Sequence, residues 1–216
     1  TLSHSINGGK FGAGANFNGT DSYISTDLDL KNFPEVSISF WAYWDSNING
    51  IVIGGDGNDG ASGYKSNRNT IALNHGSSRF DYVSYGGDLY RHAVSLSDGW
   101  HHFAISDNGG AANDSVDMYV NGSSVSYTTP VTDSNYSNHE NMQIGRSRNN
   151  AGNMANYYDN KLDQVRIFTK ALSSSEVSTL YAETTPESLD PLSEDTTETL
   201  QVLGDSSCIA TYRFEN

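Results

Sequence analysis

The sequence predicts an all-β protein, a β-sandwich or jelly roll of two antiparallel sheets with one short C-terminal helix. Three observations predict it. Apolar and polar residues alternate in about ten short runs, the period of a half-buried strand. Gly, Asn, Asp and Ser separate the runs, and 21 glycines make the chain rich in turns. A single segment shows helical spacing behind a capping sequence.

In SYISTDLDL (22–30), Ile24, Thr26, Leu28 and Leu30 share one face. In EVSISFWAYW (35–44), Val36, Ile38, Phe40, Ala42 and Trp44 point one way, and Ser37, Ser39, Trp41 and Tyr43 the other. GIVIG, TIALNH, FDYVSY, RHAVSL, WHHFAIS, VDMYVNGSSVSY, NMQIG and KLDQVRIF read as further strands. The Asn121-Gly122 pair predicts a two-residue hairpin, because both central positions of that turn need positive φ. In LSSSEVSTLYAE, Ser173 is the expected N-cap with Glu176 three residues on, followed by Val177, Leu180 and Tyr181 at helical spacing.

Residues 1–182 therefore read as one sandwich domain. Residues 183–200, ETTPESLDPLSEDTTETL, hold two of the four prolines and no periodicity, the composition of an acidic Thr/Pro-rich linker. Residues 201–216 end in DSSCIATYRFEN, which alternates like a strand.

The 216 residues carry 26 acids against 12 bases, a net charge of −14, and residues 183–216 hold eight of those acids with one base. Nucleic acid is disfavoured as a partner, since phosphate neutralisation needs clustered Lys and Arg. No run approaches the length of a membrane helix, so no membrane is expected. The single cysteine, Cys208, excludes an intrachain disulfide framework. The opening TLSHSINGGKFG has neither an initiator Met nor an apolar run, and the sequence reads as a piece of a longer protein.

Three phrases, GKFGAGANFNGTDSYI (9–24), SISFWAYW (37–44) and DGWHHFAISDNGG (98–110) followed by VDMYVNG (116–122), resemble laminin G-like, concanavalin A-like lectin and glucanase jelly-roll domains, of the kind repeated in phage or bacterial surface proteins. KLDQVRIFTKALSSSEVSTLYA (161–182) looks like that family's closing strand and terminal helix. The resemblance implies a concanavalin A-like jelly roll, but hardly constrains function, because the architecture hosts lectins, hydrolases, lyases and structural modules. It also implies that a strand resembling ATYRFEN opens such a domain. Residues 201–216 are thus expected either to fold back onto the sandwich, in the same chain or by exchange with a neighbouring copy, or to start a next repeat.

Catalysis is disfavoured. Glycosidases need two carboxylates at fixed separation, and residues 1–182 hold only three glutamates, Glu35, Glu140 and Glu176, each in a turn or at a helix start. The Glu-x-Asp-x-Glu strand of the family's glucanases and the Gln-x-His and Tyr-x-Lys patterns of its lyases are absent. The resemblance implies that His102 is a packing histidine near the core, and His101-His102 alone lacks the partners a metal centre needs. By resemblance, a structural Ca²⁺ is expected between the FNG turn and the last long strand, held by a Gly19 carbonyl, Asp21 and Asp163. The alternative for Asp163 is a carboxylate engaged with backbone N–H groups. GGDGNDGASG (54–63) lacks the spacing of an EF-hand loop.

Sugar recognition needs aromatic faces beside amides, carboxylates and arginines. The sequence clusters Tyr64 and Arg68; Tyr85, Asp88, Tyr90 and Arg91; and Arg146, Arg148, Asn149, Tyr157 and Tyr158. Each ring taken alone also suits core packing; as a set in loops they point to a binding surface. The expected function is non-catalytic, lectin-like binding of a glycan or cell-surface polysaccharide, as a calcium-stabilised adhesin or phage tail-fibre module outside the cell or on a virion. A protein-binding spacer and a degenerate glycan-active enzyme are the alternatives.

Overall fold

The computed structural model describes residues 3–5, 8–30, 33–55, 69–84, 88–109, 116–132, 141–148, 154–184, 203 and 205–212. The chain begins with β1 (Ser3–Ser5), β2 (Gly14–Asn18), β3 (Ile24–Ser25), β4 (Val36–Trp44), β5 (Asn49–Gly55) and β6 (Thr70–Asn74). It continues with β7 (Arg79–Val83), β8 (Asp88–Ala93), β9 (Gly99–Asp107), β10 (Val116–Val120), β11 (Ser123–Val125) and β12 (Thr128–Thr132). There follow β13 (Met142–Ile144), β14 (Ser147–Arg148), β15 (Met154–Ala155), β16 (Asp159–Phe168), helix α1 (Ser174–Ala182) and β17 (Cys208–Tyr212).

Two antiparallel layers result. The front layer runs β11-β10-β9-β4-β16, and the back layer runs β3-β13-β5-β6-β7-β8-β12. They join where Asp159 of β16 meets Asn49 of β5. Between them lies the main core, with Phe40, Trp44, Phe80, Tyr82, Phe103, Val165 and Ile167 all essentially inaccessible. Phe103 packs parallel to Phe40 at 5.6 Å and edge-on to Phe80 at 5.1 Å, geometries that favour ring pairs.

The alternation read in β4 holds: Val36, Ile38, Phe40, Ala42 and Trp44 enter this core. Its other face is also largely buried, because α1 covers part of the front layer's outer surface. Val177 and Leu180 of the helix pack with Ala104, Tyr119, Phe168, Leu172 and Cys208 in a second cluster, each such burial contributing about 1.5–3 kcal/mol. The helix starts on its capping box, with the Ser173 hydroxyl accepting from Glu176 N and the Glu176 carboxylate accepting from Ser173 N at 2.8 Å. Asn121 (φ 50°) and Gly122 (φ 75°) form the turn between β10 and β11.

The run 22–30 differs from the strand its alternation suggests. Only Ile24 and Ser25 form β3. Thr26 ends it: its hydroxyl donates to Met142 O at 2.9 Å and accepts from Leu28 N at 3.2 Å, a side-chain turn that competes with the ladder.

One edge of β16 is shared by two strands. Residues 159–162 pair with β2, and residues 165–168 pair with β17. Between them the strand bulges, with Gln164 at φ 48°. The Asp163 carboxylate fills the junction, accepting Phe11 N at 3.0 Å and Gln164 N at 2.7 Å. Just before β17, Ser207 O accepts Thr169 N at 2.8 Å, and Lys170 reaches both Asp205 and Glu176.

Candidate functional site

The three groups anticipated at the calcium site, the Gly19 carbonyl and the Asp21 and Asp163 carboxylates, do not converge. Asn18 closes the turn, its side-chain oxygen accepting the N–H groups of Thr20, Asp21 and Ser22 at 3.1 Å each while its amide donates to Asp21 at 2.7 Å. The Asn18 hydrogen bond holds the Asp21 carboxyl below its usual range. Gly19 (φ 69°) donates its N–H to Tyr158 O at 3.0 Å. Asn18 pairs with Asp159, so Asp163 lies four residues further along β16, about 13 Å away. Calcium bonds of about 2.3–2.6 Å cannot bridge that separation. Asp163 is fully buried and engaged with backbone N–H groups. No cluster of three or more His, Cys, Asp or Glu is placed to hold a metal among the described residues.

The anticipated sugar-binding residues are dispersed. Tyr64, Arg68, Tyr85 and Asn149 lie outside the described residues, as do the side chains of Asp88 and Arg148. Tyr90 and Tyr158 are core rings, 1% and 0% exposed. Tyr90 packs edge-on to Tyr127 at 5.0 Å, and Tyr158 on Phe17 at 5.8 Å, so neither face is open to a ligand. Burial pushes the Tyr158 phenol well above its usual pKa. Arg91 is held by Asp81 in a two-pronged pair at 2.8 and 2.9 Å. Arg146 lies over the Tyr23 ring and donates to Gln143 at 3.1 and 3.0 Å. Tyr157 is half-buried beside Gly50.

The structure instead assembles a groove on the outer face of the front layer. It has a volume of about 380 Å³ and is lined by Lys10, Trp41, Trp100, His101, Asn121, Tyr181 and the chain from Ala182 to Thr184. β4 supplies Trp41 and β9 supplies Trp100 and His101. Tyr181, 40% exposed, stands on the last turn of α1 and stacks on Trp41 at 5.7 Å and 25°. Gly122 makes room for it: a Cβ there would lie 2.8 Å from the Tyr181 ring. Lys10 places its ammonium 4.2 Å from the Trp41 ring centre.

The polar groups around this groove are held in place. Asn121 accepts His102 N at 3.1 Å and lies 3.0 Å from His101 Nδ1, while His101 Nε2 is 2.8 Å from Ser97 O. Nε2 therefore carries the proton and Nδ1 accepts from the amide. Glu183 binds the buried Arg166, with Nη1 donating to Oε1 at 3.0 Å and Nη2 in ionic contact with Oε2 at 2.8 Å. Arg166 Nη2 donates to Gln164 at 3.2 Å. Glu183 is thus the one carboxylate among the described lining residues, and it is already neutralised. Cleavage by an acid pair would need a second carboxylate roughly 5–9.5 Å away.

Beneath the groove, His102 is 1% exposed, with Nε2 2.8 Å from the Ser39 hydroxyl. Desolvation first, and the Arg166 charge second, bring its pKa down to about 3. An unfolded histidine titrates near 6.5, so between these values the unfolded chain binds one more proton and stability falls as pH falls. From pH 6.5 to 4.5 the loss from this group is about 2 kcal/mol. Urea melts at the two pH values are expected to show that much less acid sensitivity in His102→Gln; equal sensitivity would remove His102 as the cause.

Lys10, Trp41, Trp100, His101, Asn121, Tyr181 and Glu183 were not singled out as a site by sequence. The available signal was the outward placement of Trp41 and Tyr43 on a strand whose opposite face is continuously apolar.

Comparison with known proteins fits the geometry. A family model described as the concanavalin A-like lectin/glucanases superfamily matches residues 18–178. No curated protein matches the chain. Among solved structures, a heptameric SAP-like pentraxin from Limulus polyphemus is 14% identical with a TM-score of 0.54, covering 79% of this chain and 82% of its own. Domain 4 of AbnA, an extracellular arabinanase from Geobacillus stearothermophilus in complex with arabinotriose, is 18% identical with a TM-score of 0.50, covering 84% and 81%. A Trypanosoma rangeli sialidase in complex with sialic acid is 14% identical with a TM-score of 0.52, covering 78% of this chain and 27% of the enzyme. At such identities the likeness is one of fold. The matched family model, the two antiparallel layers and the capped helix together lead to one conclusion: this chain belongs to the concanavalin A-like lectin/glucanases superfamily.

Proposed function

We propose that this domain is a non-catalytic carbohydrate-binding module of an extracellular adhesion protein, and that its saccharide lies in the groove between α1 and β9. The observation that carries the reading is the convergence of Trp41, Trp100 and Tyr181 with Asn121, His101 and Lys10 around one opening. Indole and phenol rings offer apolar area for sugar C–H faces, and the Asn121 amide and Lys10 ammonium offer donors for hydroxyls. A domain of similar fold in complex with arabinotriose lends support.

Intrinsic fluorescence tests it directly, because two of the three tryptophans line the groove and Trp44 lies in the core. Titration with neutral and acidic oligosaccharides is expected to change the emission. Trp100→Ala and Tyr181→Ala are expected to weaken binding about tenfold or more, as buried aromatic anchors do. Among the described residues no cluster of three metal-ligating side chains lies at the groove, so affinity in EDTA is expected to match that in calcium. Absence of binding by every saccharide, with tight self-association, would sink this reading in favour of a structural spacer.

A further inference from the structure

The charges around the groove carry a more specific conclusion, which rests on the carbohydrate-binding reading. Among the described residues, Arg79 and Arg91 contact Asp81, Arg166 pairs with Glu183, and Lys170 pairs with Glu176 and Asp205. Lys10 and Lys161 make no such pair among the described residues, in a chain with 26 acids and 12 bases. Both stand over rings on the outward face of β4. Lys10 lies 4.2 Å from the centre of Trp41, and Lys161 lies 4.9 Å from that of Tyr43. Tyr43 in turn meets the groove residue Trp100 edge-on at 5.7 Å. Trp41 and Tyr43 are two residues apart on one face, about 6.6 Å along the strand. The result is a strip of rings with an ammonium at each end.

Trp41 is only 3% exposed beneath Tyr181 and Lys10, and a cation–ring contact is weaker than a charge-assisted hydrogen bond to a carboxylate or sulfate. An anionic group delivered to the groove would therefore draw Lys10 toward itself and free part of the Trp41 face for stacking. We infer that the groove and its extension along Tyr43 bind an anionic polysaccharide segment, with Lys10 and Lys161 pairing with its carboxylate or sulfate groups and Trp41, Trp100 and Tyr43 contacting its ring faces. A sugar fits better than an acidic peptide because the lysines are interleaved with flat aromatic surfaces.

Calorimetry on the whole chain decides it. The probes are an oligouronate, the same oligomer with its carboxyl groups reduced to alcohols, a sulfated galactan oligomer and a poly-glutamate peptide. The oligouronate, the sulfated oligomer or both are expected to bind, with affinity falling as salt rises, and which one binds identifies the anionic group. Lys10→Gln and Lys161→Gln should each weaken that binding about tenfold with unchanged thermal melting, and the carboxyl-reduced oligomer should bind comparably weakly. Equal affinity for charged and reduced oligomers would overturn the charge inference while leaving the carbohydrate reading intact. Binding of the peptide as tight as that of the sugars would overturn the choice of a saccharide, and binding of none of the probes would overturn both.

Discussion

Removal of residues 203–216 is expected to lower the melting temperature by about 10 °C. β17 covers the half of the β16 edge that β2 leaves open, pairing with residues 165–168. Its Cys208 is 1% exposed among helix and sheet side chains, and Ile209, Ala210 and Tyr212 pack against the main core. Losing this apolar contact and the strand ladder costs about 3–5 kcal/mol, and each kcal/mol is about 2–4 °C in a domain of this size. Calorimetric melts of the full and shortened chains measure it. Cys208→Asp keeps the chain length and buries a carboxyl in the second cluster, so a comparable loss is expected. An unchanged midpoint in both variants would mean that β17 contributes nothing to the fold.

The second large effect concerns the ion pair under the groove. The Arg166 side chain is 2% exposed and that of Glu183 is 20% exposed, so the two single substitutions are not equivalent. Glu183→Ala leaves a guanidinium buried with the Gln164 carbonyl oxygen as its side-chain acceptor among the described residues, at a cost of about 3–5 kcal/mol. Arg166→Met leaves a carboxylate that water can reach, and the methionine stem refills the space the arginine stem occupied, so the cost should be smaller. The double variant Arg166→Met with Glu183→Leu is expected to recover most of the loss, since apolar replacement of a buried pair is often neutral. Chemical denaturation of the parent and the three variants measures these losses. A Glu183→Ala variant as stable as the parent would show that the pair carries no such burden.

Period-two patterning was enough to place Val36 through Trp44 correctly on two faces, and the capping box located the helix start at Ser173. Both are local signals, set by side-chain alternation and by one turn of backbone hydrogen bonds. The groove was not legible in the same way. It exists because α1 returns across the front layer and carries Tyr181 to Trp41, 140 positions apart in sequence, and no local period encodes that meeting. Tyr90 and Tyr158 show the converse. Their polar neighbours suggested loops, yet their rings fill the interior, because the burial of an aromatic depends on which sheet face lies behind it. Asp163 depended on a one-residue irregularity at Gln164, which turns a carboxylate toward main-chain N–H groups at a seam between two strands.

That seam has a topological consequence. Along β16, Tyr212 stands opposite Val165 and Ala15 opposite Leu162, so the last strand runs collinearly into the second with a gap of about 10 Å. The strands β17 and β2 lie end to end as two segments of a single line. A linker from the end of β17 to the start of β1, long enough to span this gap and run back along β1, with the chain opened instead between positions 185 and 202, would give a circularly permuted order of the same strands.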